Sequence, residues 1–246
     1  MRFSFQRIIC ALFFQSSYLC AATLEVEYGI AIPIPDEIVM QHIRPLEDDL
    51  YKALGKNTPV PNIPHITLFQ LRTTEDKLPQ IIENLHHIFA EEAIKALFQT
   101  PFSIHLNIPY LRSGTGDHMW ISLHMTDKKV LPLLMEVHQA VSKKLSPLRT
   151  GMIKALQDTY ETLPGPKKKY VNQMGFVGGI FYTPHMTLFY NADHDVTDKI
   201  ANKVAYDFTK RSPPLHFSFQ VQNIVVGELG EEGNMTKVLH TFPMRP

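Results

Sequence analysis

Pro64-His65-Ile66-Thr67-Leu68-Phe69 recurs 120 positions later as Pro184-His185-Met186-Thr187-Leu188-Phe189, with five of six residues identical. Two copies of a His-x-Thr core inside one apolar frame mark a duplicated working part, and the rest of the chain is read outward from it. Successive side chains of a strand alternate faces, so the phrase predicts His65, Thr67 and Phe69 on one face and Ile66 and Leu68 on the other. The His and the Thr then stand about 6.7 Å apart. His185, Thr187 and Phe189 repeat the pattern, with Met186 and Leu188 anchoring the second strand as Ile66 and Leu68 anchor the first.

The flanking elements repeat too. Leu24 to Ile34 alternates and reads as a strand closed by Pro33 and Pro35. Asp36 is expected to cap a helix bearing Val39, Ile43, Leu46 and Leu50, with Pro45 as a kink or restart. A Pro-rich link (Pro59, Pro61, Pro64) leads into the first motif strand, which runs to about Leu71. A helix follows through Leu78, Ile81, Ile82, Leu85 and Ile88, then an alternating strand from Phe102 to Ile108, a turn at Ser113 to Asp117, and a return strand from Met119 to Met125. After the second motif come a helix (Val196, Ile200, Val204, Phe208), a strand (Phe217, Phe219, Val221), a turn from Gly230 to Gly233 and a return from Met235 to Phe242. The common offset implies that the repeat covers whole lobes. The fold expected is α+β: a duplicated two-lobe fold whose antiparallel sheets face a central cleft, with helices outside. Between the halves, Val130, Leu134, Val137 and Val141 mark a helix, and Met152, Ile153, Leu156 and Tyr160 a short one. Leu163 to Gly179 reads as a loop or lid. Residues 147–179 have no counterpart in the first half, so they are where substrate preference can be added.

With 44% hydrophobic and 20% charged residues in 246, the chain is of ordinary globular composition. Lys and Arg together number 24, as do Asp and Glu, so no global basic field exists to hold a long nucleic-acid duplex. The one dense basic run, Lys167-Lys168-Lys169, follows Pro164-Gly165-Pro166 and reads as a solvated loop. Arg2 and Arg7, the apolar run Ile8 to Phe14 and the small residues Ala21 and Ala22 make residues 1–22 a signal peptide, too short in its apolar part to span a bilayer. Residues 23–246 then form a single bilobal domain, exported to the periplasm or secreted and without stable membrane insertion after cleavage. Both cysteines, Cys10 and Cys20, fall in the leader, so the mature chain has no Cys nucleophile or Cys-ligated zinc. Lipidation at Cys20 is disfavoured because Ser17-Tyr18-Leu19 places no small residue beside it.

Two motif faces meeting across a cleft bring two imidazoles and two hydroxyls together. One neutral His can take a proton from an attacking oxygen while the other, protonated, gives one to the leaving oxygen. The Thr hydroxyls can donate to phosphoryl oxygens. A two-His metal site is disfavoured because the motif offers Thr where a third good ligand is expected. Neither a metal nor a cofactor is called for. His86 and His87 fall on a helix and read as surface residues, and His42, His138 and His194 carry no ligating pattern. Trp120, which shares a strand face with His118, Ser122 and His124, is a candidate for stacking on a base, as are Tyr28, Phe69 and Phe189.

His65-Ile66-Thr67-Leu68 and His185-Met186-Thr187-Leu188 together resemble the signature of the two-histidine (2H) phosphoesterase superfamily, which includes the RNA 2',3'-cyclic phosphodiesterases and the proteins called 2'-5' RNA ligases. The resemblance extends over residues 24–246. It implies metal-independent hydrolysis at a 2',3'-cyclic or 2',5'-linked phosphodiester, with His65 and His185 as the acid-base pair, Thr67 and Thr187 as phosphate binders, and a nucleotide or RNA end as substrate for a monomer. The apparent leader, the motif spacing and the segment 147–179 depart from many intracellular members and bear on substrate more than on chemistry. An idle duplicate-lobe module that binds a phosphorylated nucleotide or a partner is the alternative from the residues alone.

Overall fold

The structure, a computed structural model, describes residues 24–55, 62–99, 103–113, 119–190, 197–210, 216–230 and 233–244. The leader with Cys10 and Cys20, as well as Pro59, Pro61, Phe102, the turn residues 114–117, His118, His194 and Val196, lies outside them.

Strand β1 (Glu25–Pro33) ends at the expected prolines. Helix α1 (Asp36–Ile38) begins on Asp36 itself, after Pro35 and with no side-chain cap, so Asp36 acts as a first-turn acid near the helix N-terminus rather than as the cap. One π-helical turn (Val39–Ile43) joins α1 to α2 (Arg44–Ala53), and Pro45, which has no N–H to give to the ladder, stands just after that turn. The first motif strand is β2 (His65–Thr74), followed by α3 (Leu78–Ala90) and by α4 (Glu92–Gln99), a helix the periodicity did not announce. Next come β3 (Ser103–Ser113), β4 (Met119–Met125) and α5 (Val130–Leu145). The stretch expected to be a loop or lid contains α6 (Gly165–Met174). Its Gly165 and Pro166 sit in the first turn, where Pro is tolerated, and Gly175 ends it at φ 84°, the left-handed conformation that closes many helices. The second motif strand is β5 (His185–Tyr190), followed by α7 (Asp198–Thr209), β6 (His216–Gln220), β7 (Asn223–Leu229) and β8 (Met235–Pro243).

The strands form two antiparallel four-stranded sheets, ordered β2-β1-β7-β8 and β5-β4-β3-β6. This confirms the two-lobe α+β architecture and corrects the assignment of strands to lobes. Each motif strand stays in its own lobe, but strands that follow it do not: β3 and β4 belong to the sheet of β5, and after the second motif β6 stays in that sheet while β7 and β8 belong to the sheet of β2. The lobes therefore exchange strands, and neither is a continuous half of the chain. Each motif strand lies at a sheet edge, and the two edges, β2 and β5, approach each other.

One continuous core joins both lobes, with Ile30, Ile32, Ile66 and Leu71 in the first sheet and Ile121, Leu123, Met186 and Leu188 in the second, all at most 2% exposed. Each such side chain contributes roughly 1.5–3 kcal/mol by leaving water. The outer edge of β2 is covered by the segment that follows α5. Thr150 donates its N–H to the Arg72 carbonyl, Gly151 forms a bridge with Arg72, Thr73 Oγ1 donates to the Leu148 carbonyl at 2.6 Å, and the Lys154 N–H donates to buried Glu27 at 2.5 Å. These contacts occupy the C-terminal end of β2, where an edge would otherwise present unpaired backbone groups. No helix among the described residues is long and apolar enough to cross a membrane.

Candidate active site

The two motif strands carry the same irregularity. Along β1 and β2, Ile30 pairs with Phe69 but Ala31 pairs with Thr67, so Leu68 is an extra, bulged residue. Along β4 and β5, Ile121 pairs with Phe189 but Ser122 pairs with Thr187, so Leu188 is bulged in the same way. Directly paired residues share a face, and one extra residue reverses the alternation beyond it. His65 and Thr67 therefore face the cleft as expected, but Phe69 turns to the core, and Gln70 takes the third cleft position. In the second copy that position is held by Tyr190. The signal was present in the sequence: Leu68-Phe69 and Leu188-Phe189 are apolar doublets that interrupt strict alternation.

Both histidines are locked in one tautomer by one device. His65 Nδ1 donates to the Ile63 carbonyl at 2.7 Å, and His185 Nδ1 donates to the Thr183 carbonyl at 2.7 Å. Because a carbonyl only accepts, each Nδ1 carries the hydrogen and, in the neutral ring, each Nε2 is the basic nitrogen. The proline between carbonyl and His contributes to this: the Pro64 carbonyl accepts from the Ile34 N–H at 3.0 Å and the Pro184 carbonyl from the Met125 N–H at 3.2 Å. Each Pro-His dipeptide is thereby tied to its neighbouring strand. The entry to the first copy is further fixed by Arg44, which donates to the Asn62 carbonyl at 3.0 Å while pairing with Glu47 at 2.6 Å. Asn62 Oδ1 in turn accepts from the Met235 N–H at 3.0 Å.

His65, Thr67, His185 and Thr187 line one cleft of about 420 Å³. The histidines differ in setting. His65 is 8% exposed, and burial pushes its imidazole below the ordinary His range; the Ile63 carbonyl opposes this, and the charge of His185 adds to it. His185 is half-buried, with His124 stacked beside it at 5.6 Å between ring centres. The carboxyl of Glu47, also on the cleft wall, is held above the usual carboxylate range by burial, against the pull of Arg44.

Of the aromatic candidates, Trp120 lines the cleft and lies nearly parallel to Tyr190, with ring centres 6.3 Å apart and planes at 17°. Tyr190 was not anticipated, since it stands one residue beyond the repeated phrase. Tyr28 and Phe69 are corrected: at 2% and 0% exposure both belong to the core, Phe69 packing edge-on against Phe176. Phe189 contributes to the cleft lining but is 1% exposed and packs edge-on against Tyr51, so its ring has no free face for a base. Much of the remaining wall comes from the segment without a counterpart, through Leu156, Thr159, Leu163, Lys167 and Phe181. Lys167 is the one Lys or Arg among the described lining residues, and its ammonium lies 5.8 Å from the Phe181 ring centre. The solvated-loop expectation for the basic run is thus corrected for Lys167. His138, which carries no ligating pattern in the sequence, is fully buried.

A search of curated protein sequences found no match. Among solved structures, the chain resembles TT0787 of Thermus thermophilus (18% identity, TM-score 0.47, covering 89% of this chain and 98% of that one). It also resembles E. coli LigT complexed with 3'-AMP (17%, 0.46, 89% and 98%) and Kluyveromyces marxianus Usb1 with uridine monophosphate (10%, 0.40, 88% and 98%). The family model of the 2'-5' RNA ligase superfamily matches residues 34–231. Members of this 2H phosphoesterase group are generally phosphodiesterase-type enzymes, and membership supports a nucleotide-processing activity. With both motif strands, the whole of the second sheet and half of the first inside the matched range, the chain belongs to the 2'-5' RNA ligase superfamily.

Proposed function

We propose that this protein is a metal-independent phosphodiesterase that hydrolyses 2',3'-cyclic or 2',5'-linked phosphodiesters of a nucleotide or RNA end. The observation that carries this reading is the matched locking of two imidazoles, each with Nδ1 on a main-chain carbonyl, on strands that line one cleft. His65, kept neutral by burial, takes the proton of the attacking water at Nε2 as the water oxygen bonds to phosphorus. His185, more open to solvent, gives its proton to the ribose oxygen as the P–O bond breaks. Charge repulsion between the two favours one shared proton over two, which keeps a base and an acid present together. Thr67 and Thr187 donate to the phosphoryl oxygens that gain charge. The Trp120 and Tyr190 pair supplies a surface for a base, and Lys167 supplies a local cation.

The test is turnover of a panel of 2',3'-cyclic nucleotides and 2',5'-linked dinucleotides in excess chelator. Hydrolysis that survives chelation supports the reading. Saturable nucleotide binding with no turnover would replace it with a binding module, and loss of all activity on chelation would replace it with a metal-dependent one. The reading also places the protein outside the cytoplasm, on the pattern of residues 1–22. N-terminal sequencing should then begin near Thr23; an intact Met1 in a cytoplasmic fraction removes that part.

A further inference from the structure

In a regular strand, successive carbonyls point to opposite edges. In β2, the carbonyls of Thr67 and Leu68, on either side of the bulge, both accept from groups on one side. Tyr182 Oη donates to the Thr67 carbonyl at 3.0 Å and His138 Nδ1 donates to the Leu68 carbonyl at 2.7 Å, and the two rings stack at 4.2 Å and 6°. The Gly179 N–H donates to His138 Nε2 at 2.9 Å, so both ring nitrogens are used and the tautomer is fixed, with the hydrogen on Nδ1. The socket is closely fitted. A Cβ on Gly178 would lie 3.0 Å from His138 Cε1, and one on Gly179, at φ +61°, would fall 2.1 Å from the Tyr170 ring. Tyr182 is three residues before His185, on the strap that enters the second motif. One buried pair thus holds the bulge of the first motif and the approach to the second.

We propose that His138 and Tyr182 are positioning residues for catalysis: by holding the Thr67 and Leu68 carbonyls they keep the β2 bulge in place, and with it the placement of Thr67 toward the phosphate and of one motif relative to the other. This rests on the reading of Thr67 as a phosphate donor. An interior polar pair with no such role would show in stability alone.

Tyr182→Phe keeps the ring stack and removes only the bond to Thr67. His138→Asn puts its amide near Nδ1 and keeps the donor to Leu68, whereas His138→Gln puts its amide near Nε2 and loses that donor. Hydrolysis of a 2',3'-cyclic nucleotide is expected to lose about 10-fold or more in kcat in Tyr182→Phe and His138→Gln, with KM within about 3-fold, because a small misplacement of a reacting group is costly to rate. His138→Asn should stay within about 3-fold of the wild type in kcat. Wild-type kcat in folded Tyr182→Phe, or equal losses in His138→Asn and His138→Gln, would overturn the proposal. If His138→Gln does not fold, Tyr182→Phe decides alone. If the wild type turns over nothing, the functional reading fails, and the positioning role is judged by the affinity for a nucleoside 2'-monophosphate. Weakening of about 5-fold or more in Tyr182→Phe upholds it, and unchanged affinity overturns it.

Discussion

The two copies of the phrase are nearly identical in sequence and unequal in surroundings. Both have the same bulge, the same imidazole-to-carbonyl lock and the same proline tie to the adjacent strand. Yet His65 is buried and shifted toward the neutral form, while His185 is half-buried beside His124. At the third cleft position, the first copy presents the Gln70 amide and the second an aromatic ring paired with Trp120. On the proposed mechanism, duplication supplies two equivalent proton carriers, and the differences around them give each a separate task. The equivalence lies in the strand and the difference in what packs on it.

The largest expected effect breaks the pair itself. His65→Ala or His185→Ala should lower kcat by roughly 100- to 10,000-fold, the usual worth of a general acid or base. A variant that keeps wild-type kcat would make the comparison one of form only. Next come the hydroxyls: Thr67→Val and Thr187→Val should each cost about 100-fold in kcat with little change in KM, if each donor acts mainly on the charge of the transition state. A rise in KM alone would assign them to ground-state binding.

Smaller effects sharpen the contrast at the third position. Trp120→Ala, by removing a stacking surface, should raise KM about 5- to 100-fold, whereas Gln70→Ala, losing at most a hydrogen bond, should raise it about 2- to 10-fold. The smallest effect concerns stability and pH. His65 and His138 both have folded pKa values below the ordinary 6.5, chiefly through burial, so the unfolded chain binds more protons as pH falls below that value. Their contribution is present above 6.5 and is lost on acidification toward their lowered values. Glu27 and Glu47, raised from 4.5 by burial, act the other way, contributing below 4.5 and losing that contribution as pH rises. Because the carboxyls oppose the imidazoles, the share of His65 is read as a difference: between about pH 7 and about pH 5.5, acidification should lower Tm more in the wild type than in His65→Ala, one of the two responsible imidazoles being gone.

The repeated phrase made the proposed quartet of His65, Thr67, His185 and Thr187 legible because chemistry and periodicity coincide in it, and helices with a clear apolar stripe, such as Leu78 to Ile88, could be read directly. What escaped has particular causes. The bulge at Leu68 was visible only as an apolar doublet, so Gln70 and Tyr190 were passed over. Strand β7 hid because Val225 packs into one cluster and Ile224 and Val226 into another, so a strand buried on both faces shows no alternation. Helix α6 was obscured by the Gly and Pro residues that in fact bracket it. Strand exchange between lobes leaves no local pattern, since alternation reveals a strand but not its partner. His138 shares the buried stripe of α5 with Leu134, Val137 and Val141, and a polar residue at that spacing was itself a sign of a paired interior group.

A double-mutant cycle on the histidines tests the shared-proton account most directly. With kcat measured on a 2',3'-cyclic nucleotide for the wild type, His65→Ala, His185→Ala and the double variant, groups that act as one unit should give a double variant no more than about 10-fold slower than the slower single. Losses that multiply, or a single variant as fast as the wild type, would contradict a concerted pair.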